Sequence, residues 1–207
     1  PNSKSSCYVF YDRFQVVQSD RIPGFIRNAE CRLTLHKNCR NTENVCRTAM
    51  SLLPECGKAE VLRGIAGKIP CIHFCGEKTY FNALDDVIGG LHRDGIDDIV
   101  ILTLSTETDS IVSESIRNGV YGECRFMSCR KFKGLEADAV ILVDFTELTV
   151  INDAMLFYVG ASRARIRLEI MTTMDNESCR NTMERMKGEG AGRRPMRDLA
   201  SMLKCTA

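Results

Sequence analysis

The sequence lacks a long apolar run, a signal sequence and a regular cysteine pattern. No apolar stretch approaches the roughly 18 residues that a membrane-spanning helix needs. The first residues carry neither the basic nor the apolar region of a secretory signal. We therefore expect a soluble, cytoplasmic protein that does not interact with a membrane.

The chain also lacks an excess of charge of one sign. Lysine and arginine together number 28 and aspartate and glutamate 27, for a formal net charge of +1. A strongly basic domain attracts nucleic acid through its overall field, and this chain has no such field. Any binding of nucleic acid must therefore depend on a local patch.

The eleven cysteines are an odd number and are scattered through apolar segments. Small secreted domains that depend on disulfides carry an even number of cysteines at framework spacing. We therefore expect reduced thiols in an intracellular protein.

One cysteine-rich segment requires a separate interpretation. On a strand, Cys71, His73 and Cys75 would share one face, and His36 or Cys39 could add zinc ligands. Alternate residues of a strand are about 6 to 7 Å apart, too far for three of them to close on one ion without a kink. We expect small buried cysteines with one hydrogen-bonded histidine, and no metal site.

Apolar strand-like runs alternate with amphipathic stretches along most of the chain. With 207 residues, of which 44% are hydrophobic, the chain is long enough for one good core. Strands are predicted at 8–11, 31–35, 69–74, 98–104, 125–129, 139–143 and 168–172. Helices are predicted at 41–53, 81–93 and 109–118, with another that ends near residue 162. This alternation predicts an α/β fold with a mostly parallel sheet flanked by helices.

Residues 175–207 lose the strand pattern. Two helices are predicted at 177–187 and 196–204, and Gly188, Gly190, Gly192 and Pro195 lie between them. We expect a peripheral C-terminal helical tail joined by a glycine-rich loop.

The clearest functional signal is an ordered pair of segments. The first, 133–143, reads Lys-Gly-Leu-Glu-Ala-Asp-Ala-Val-Ile-Leu-Val, and the second, 156–165, reads Leu-Phe-Tyr-Val-Gly-Ala-Ser-Arg-Ala-Arg. Residues 138–144 form an apolar run bounded by carboxylates, as expected of a buried parallel strand. A loop before this strand and arginines after the following helix suit an edge that faces a nucleotide.

These two segments resemble motifs V and VI of superfamily 1 helicases of the UvrD/Rep type. Upstream, residues 11–15 are similar to motif III and residues 33–42 to motif IV, in the same order. The resemblance implies a RecA-like domain of the P-loop NTPase type, in a compact form without an accessory insertion. It divides the chain into 1–30, the end of a first motor domain with a linker, 31–174, the second motor domain, and 175–207, the tail.

The resemblance also implies roles for individual residues. Phosphoryl transfer depends on positioning and charge stabilisation, and an arginine from a neighbouring domain can stabilise the transferred phosphoryl group. Arg163 would be this arginine finger, Arg40 a second ligand of the γ-phosphate, and Gln15 the link between the γ-phosphate and the nucleic acid. Glu136 would accept a hydrogen bond from the ribose hydroxyl.

Further roles concern the loop of motif V and the nucleic-acid track. Lys133 and Gly134 would shape the loop that faces the nucleotide. Ser128 and Arg130 stand where the family usually has threonine and histidine, and either could bind a phosphate of the nucleic acid backbone. Asn38 would join them in binding nucleic acid.

The chain has no phosphate-binding loop of its own. The segment 64–68, Gly-Ile-Ala-Gly-Lys, lacks the spacing and the following Ser or Thr that wrap a β-phosphate. No acidic strand for Mg2+ precedes motif III either. We expect ATP and Mg2+ to be bound mainly by a first motor domain upstream of Pro1, and this chain alone to be inactive.

The function implied is the second half of an ATP-driven helicase or translocase on single-stranded DNA, with RNA as another substrate. An alternative is a nucleotide-gated regulatory or defence module that controls a partner nuclease without unwinding. A third, weaker alternative is a scaffold that binds no nucleotide.

Overall fold

The structure is a computed structural model that describes residues 9, 24–28, 37–53, 60–61, 64–148, 151–188 and 192–207. The predicted strand 31–35 and the motif III segment with Gln15 lie outside the described residues, as does the predicted strand 8–11 except for Val9. Fourteen elements follow one another within the described ranges. In chain order they are α1 (Gly24–Arg27), β1 (Lys37–Asn38), α2 (Glu43–Ala49), β2 (Glu60–Val61), β3 (Cys71–Phe74), α3 (Tyr80–Arg93), β4 (Ile99–Thr103), α4 (Ser113–Arg117), β5 (Arg125–Ser128), β6 (Ala137–Val143), α5 (Ile151–Ala161), β7 (Ala164–Thr172), α6 (Asn176–Lys187) and α7 (Pro195–Met202).

The main sheet has five strands in the order β3-β7-β6-β4-β5, and every pairing within it is parallel. The middle strand, β6, reads Ala-Asp-Ala-Val-Ile-Leu-Val and is buried along almost its whole length. Such a continuous apolar strand needs cover on both faces, which is typical of parallel sheets between layers of helices. The predicted RecA-like α/β fold is confirmed.

The two faces of the sheet belong to two separate hydrophobic clusters. Val140 and Leu142 of β6 pack with α2, α5, α6 and α7. Ala139, Ile141 and Val143 pack on the other face with α3 and α4. The alternation follows from the two-residue period of a strand, and it places a helical layer on each side of the sheet.

The C-terminal residues pack on the domain. Met183 of α6 and Leu199 and Leu203 of α7 are buried in the cluster that contains α2 and α5. Thr206 forms a parallel bridge with Cys71 at the start of the edge strand β3. The helices predicted for the tail are present, and the end of the chain adds to the sheet.

Within the described ranges, no helix has the length and apolarity needed to cross a bilayer.

Gly160, in the last turn of α5, brings this helix unusually close to the sheet. A methyl group in place of its hydrogen would lie 2.6 Å from the Sγ atom of Cys129 and 2.7 Å from the Cδ2 atom of Leu142. Both neighbours are fully buried. Helix propensity disfavours glycine at such a position, so the close packing explains why glycine stands there.

We therefore expect Gly160→Ala to lower the free energy of unfolding by about 1–3 kcal/mol, because overpacking displaces buried atoms. Gly90→Ala is the matched control in α3, where the nearest atom to the added methyl group is the mobile Nη2 atom of Arg93 at 3.8 Å. The control should be neutral or stabilising, since alanine favours helix by about 1 kcal/mol. Urea denaturation measures both, and equal effects of the two substitutions would contradict the packing argument.

Candidate functional site

The two ends of the parallel sheet carry different sets of the residues singled out by the sequence. Glu136 directly precedes β6 and Arg163 directly precedes β7, so both lie at the amino end of the sheet. Ser128 is the last residue of β5 and lies at the carboxyl end. Because β5 and β6 run in the same direction, the loop 129–136 spans the domain from one end to the other. This connecting loop contains the Lys-Gly-Leu-Glu sequence.

Three segments that are distant in sequence meet at the amino end. The Nε atom of Arg40 lies 3.1 Å from Glu136 Oε2, and the Nε atom of Arg165 lies 3.8 Å from Glu136 Oε1. Arg165 also reaches Asp138, with Nη1 3.3 Å from Oδ1. The side chains of Arg40, Arg165 and Glu136 are 44%, 43% and 47% exposed. We call these three residues the amino-end cluster.

A buried asparagine fixes the backbone beneath this cluster. Asn41 is fully buried, and its side-chain amide donates to the carbonyl oxygens of Ser162, at 3.0 Å, and Ala164. The N–H group of Thr42 donates to the carbonyl of Arg165 at 3.1 Å. The turn before α2 and the turn before β7 are thereby joined. Because Asn41 lies next to Arg40, these bonds hold Arg40 beside Glu136.

This arrangement differs from the capping that Asn41 and Thr42 would suggest at the start of a helix. Thr42 is the N-cap of α2 but its side chain makes no capping hydrogen bond. The Asn41 amide instead bonds to the distant carbonyls of Ser162 and Ala164. Thr42 packs so closely against Gly67 that a Cβ atom at that glycine would clash with its side chain. Tertiary contacts have therefore replaced the local cap.

Asn38 shapes the turn that carries Arg40. Its Oδ1 atom accepts from the N–H groups of Arg40, at 2.9 Å, and Asn41, at 3.2 Å. Its Nδ2 atom donates to Asn41 Oδ1 at 2.8 Å. The structure thus places Asn38 with the amino-end cluster and apart from Ser128, so its contact with nucleic acid stays a prediction.

Arg163 points into the domain. Only 1% of the residue is exposed, and its Nε atom donates to the carbonyl of Val159 at 2.9 Å. Its Nη2 atom donates to Ser162 Oγ at 3.2 Å, and its Nη1 atom lies 3.5 Å from the carbonyl of Leu135. A cation at the carboxyl end of a helix is stabilised by the free carbonyl groups there. In this conformation Arg163 joins α5 to the loop 129–136.

Lys133 and Gly134 lie in the exposed part of the same loop. Gly134 has φ of 92°, and no atom lies within 4 Å of the position of an added Cβ. Glycine is favoured here because of this backbone conformation, since side chains disfavour positive φ. The structure places both residues in a loop, and their contact with a nucleotide stays a prediction.

Ser128 and Arg130 lie at the carboxyl end, where Ser128 is mostly buried and Arg130 is exposed. The N–H group of Ser128 donates to Glu107 Oε1 at 3.0 Å, and Lys131 Nζ lies 2.6 Å from Glu107 Oε2. The bond from Lys131, and then the backbone N–H of Ser128, hold the pKa of Glu107 below its usual value. Burial raises the pKa of the adjacent Cys129 thiol to about 12, which keeps it neutral.

An acidic cleft also opens at the carboxyl end. Its volume is about 380 Å³, and its walls include Asp109, Asp144, Glu147 and Asp153. Asp109 accepts from Thr106 Oγ1 at 2.6 Å. Asp144 accepts from Thr103 Oγ1 at 2.5 Å and from the N–H of Ile111 at 3.0 Å, and Glu147 pairs with an arginine of α6. A cleft of this charge repels phosphate groups.

The sequence analysis assigned no individual role to two residues of the amino-end arrangement, Asn41 and Arg165. Arg165 is the last residue of the motif VI segment, but its pairing with Glu136 depends on the register between β6 and β7. The bonds of Asn41 reach residues more than a hundred positions away. No local pattern could have indicated them.

Comparison with known proteins finds one family model and similar solved structures. Residues 123–171 match the family model of the UvrD-like helicase C-terminal domain. The fold is similar to the crystal structure of the C-terminal domain of a possible DNA helicase from Lactobacillus plantarum WCFS1, with a TM-score of 0.50 and 14% identity over 65% of this chain and 87% of that one. At this identity the structural likeness concerns the fold alone. No curated protein matches the chain.

Removal of the Asn41 amide tests how the two turns are joined. Asn41→Ala should lower the free energy of unfolding by about 1–3 kcal/mol, because the carbonyls of Ser162 and Ala164 lose a buried donor. Asn44→Ala is the matched control, since its amide donates to Gly67 at the surface of the same segment. The control should change stability by less than about 0.5 kcal/mol. Chemical denaturation compares them, and similar losses would speak against the role of Asn41.

The carboxyl end allows a test against pH. A carboxylate with a lowered pKa in the folded state stabilises the fold above its unfolded pKa of about 4.3, and this contribution disappears as the pH falls through the folded value. Glu107→Gln should therefore reduce stability at neutral pH, and its difference from wild type should shrink below about pH 4. Urea midpoints across a pH series measure this, with the exposed Glu77→Gln as control. A constant difference at all pH values would exclude the proposed ionic contribution.

Proposed function

We propose, from the match of residues 123–171 to the family model of the UvrD-like helicase C-terminal domain, that this chain supplies the second motor domain of an ATP-dependent helicase or translocase on single-stranded DNA. ATP and Mg2+ would bind mainly to a first motor domain of the same polypeptide. The amino end of the sheet would close over the nucleotide, and the carboxyl end would contact the strand.

The observation that carries this proposal is the meeting of Arg40, Glu136 and Arg165 at the amino end. Catalysis of phosphoryl transfer requires positive groups placed around the transferred phosphate. Exposed ion pairs are worth little, typically about 0–1 kcal/mol, so a phosphate can replace Glu136 as the partner of Arg40 at small cost. Glu136 would then be available to accept a hydrogen bond from the ribose hydroxyl.

Arg163 is proposed as the arginine finger of the closed state. To reach a γ-phosphate, its guanidinium group has to exchange the carbonyls of Val159 and Leu135 for the anion. Leu135 belongs to the loop that also holds Lys133 and Gly134, so movement of this loop would change the contacts of Arg163. Nucleotide binding and exposure of the finger would therefore occur together.

The proposed path of the nucleic acid passes Ser128 and Arg130. Arg130 is exposed in the turn after β5, whereas the acidic cleft repels a strand from the other side of this end. Contacts to phosphate position a strand without selecting its sequence. RNA carries the same phosphates, so competition between DNA and RNA strands of equal length decides the preferred substrate.

The test measures ATP turnover, stimulated by single-stranded DNA, by the full-length polypeptide that contains both motor domains. Arg40→Ala and Arg163→Ala should each reduce turnover at least a hundredfold, because an arginine finger contributes roughly 10³- to 10⁵-fold. Binding of single-stranded DNA should stay within about twofold of wild type, as both arginines lie away from Arg130. Arg185→Ala is the matched control, since Arg185 is an exposed, ion-paired arginine at the carboxyl end.

Because Arg163 is buried, its substitution requires a separate check of folding. Arg163→Lys keeps a cation of similar length, and its unfolding midpoint shows whether loss of turnover reflects loss of structure. A polypeptide without turnover, or turnover unaffected by both alanine substitutions, overturns the proposal. Strand displacement by the same polypeptide separates a helicase from the regulatory alternative, which no described contact favours.

A further inference from the structure

Three side chains with metal-binding atoms meet on neighbouring strands, away from the amino-end cluster. Cys71 and His73 lie on the edge strand β3, and Glu169 on β7 is the register partner of Cys71. One ligand atom from each of the three lies within 4.8 Å of the other two. The sequence suggested Cys71, His73 and Cys75 along one strand, with His36 or Cys39 in addition, whereas the parallel register adds a carboxylate from the next strand.

The carboxylate of this group is held in a fixed orientation. Only 5% of Glu169 is exposed, and its Oε2 atom lies 2.9 Å from His73 Nε2. Its Oε1 atom lies 2.8 Å from Arg167 Nη2, and Arg167 Nη1 lies 2.6 Å from Asp94 Oδ2. Metal sites commonly orient a ligating carboxylate in this way, through hydrogen bonds from a second layer of residues.

Cys71 and His73 are only partly buried, so an ion has access to the group. A tetrahedral zinc site has metal–ligand distances of about 2.0 to 2.3 Å, which places its ligand atoms roughly 3.5 Å apart. Side-chain rotations would have to move His73 Nε2 and Glu169 Oε2 apart from 2.9 Å, and bring together any ligand atoms that lie near the 4.8 Å limit of the group. The strand spacing that argued against three ligands from one strand does not apply, because one ligand comes from the adjacent strand.

We propose that Cys71, His73 and Glu169 bind one divalent ion of the zinc class. The donors would be a thiolate sulfur, an imidazole nitrogen and a carboxylate oxygen, a set that suits zinc better than the oxygen-preferring Mg2+ or Ca2+. Water would take the fourth position, since three protein ligands leave a tetrahedral ion open on one side. The ion would fasten the edge strand β3 to β7 and replace the direct contact between His73 and Glu169.

The competing explanation is an ion-pair network of Arg167, Glu169 and His73 that binds no metal. A metal titration distinguishes the two. The 207-residue chain, reduced and freed of metal with a chelator, is titrated with Co2+ and then with Zn2+. We expect one equivalent of Co2+ to bind with a sulfur-to-metal charge-transfer absorption, and Zn2+ to displace it.

Substitutions assign the ligands. Cys71→Ser should abolish the charge-transfer absorption, and Glu169→Gln should keep it but weaken binding at least tenfold. Cys75→Ser is the matched control, because Cys75 directly follows β3 but does not belong to the group of three. It should keep both the absorption and the affinity.

Thermal unfolding gives a second readout that does not depend on the absorption. An ion that binds only the folded chain raises its unfolding midpoint, so Zn2+ should stabilise wild type and Cys75→Ser but not Cys71→Ser. If wild type binds no equivalent of metal, or if Cys71→Ser binds it with an unchanged spectrum, the proposal is wrong. A variant that loses stability equally with and without Zn2+ would support the ion-pair network instead.

Discussion

The burial of β6 on both faces is the constraint on which the rest of the domain depends. A strand with an apolar side chain at almost every position needs helices above and below it, and the crossovers that supply them keep its neighbours parallel. The sheet then has two chemically different ends. The loop between β5 and β6 must span the domain, so one short sequence reaches from the carboxyl end of the sheet to the amino end.

The parallel architecture also explains why residues from three distant segments meet. Glu136 and Arg165 are brought together because β6 and β7 pair from their first residues, with Ala137 opposite Ala164. Arg40 lies in the turn before α2. The hydrogen bonds of the neighbouring Asn41 hold this turn against the backbone at the start of β7. Hydrogen bonds to the backbone therefore determine which charged side chains lie close together at the surface.

Much of the fold was predictable from the sequence because its signals are local. The apolar run of β6 and the amphipathic pattern of α3 predicted both elements within a few residues of their observed bounds. The sequence placed the start of the last strand at residue 168, but β7 begins at Ala164. The first residues of this strand include Arg165 and Arg167. Because these residues are polar, the apolar pattern did not predict this part of the strand, which forms through backbone pairing with β6.

The candidate site was predictable only in its residue types. The order of the motifs indicated Arg40, Glu136 and Arg163, but it carried no information on which guanidinium groups face outward. The burial of Arg163 depends on its hydrogen bond to the carbonyl of Val159 in the last turn of α5, and the pairing of Glu169 with His73 depends on strand register. Both depend on tertiary structure and cannot be deduced from the spacing of residues within one segment.

The two hydrogen bonds of Asn41 have a consequence for movement. They tie the carbonyls on either side of Arg163 to the turn before α2, so a shift of its Cα atom would strain or break these bonds. Rotation about the side-chain torsions is the movement of the guanidinium group that leaves both bonds intact. The length of one arginine side chain sets the radius of that rotation.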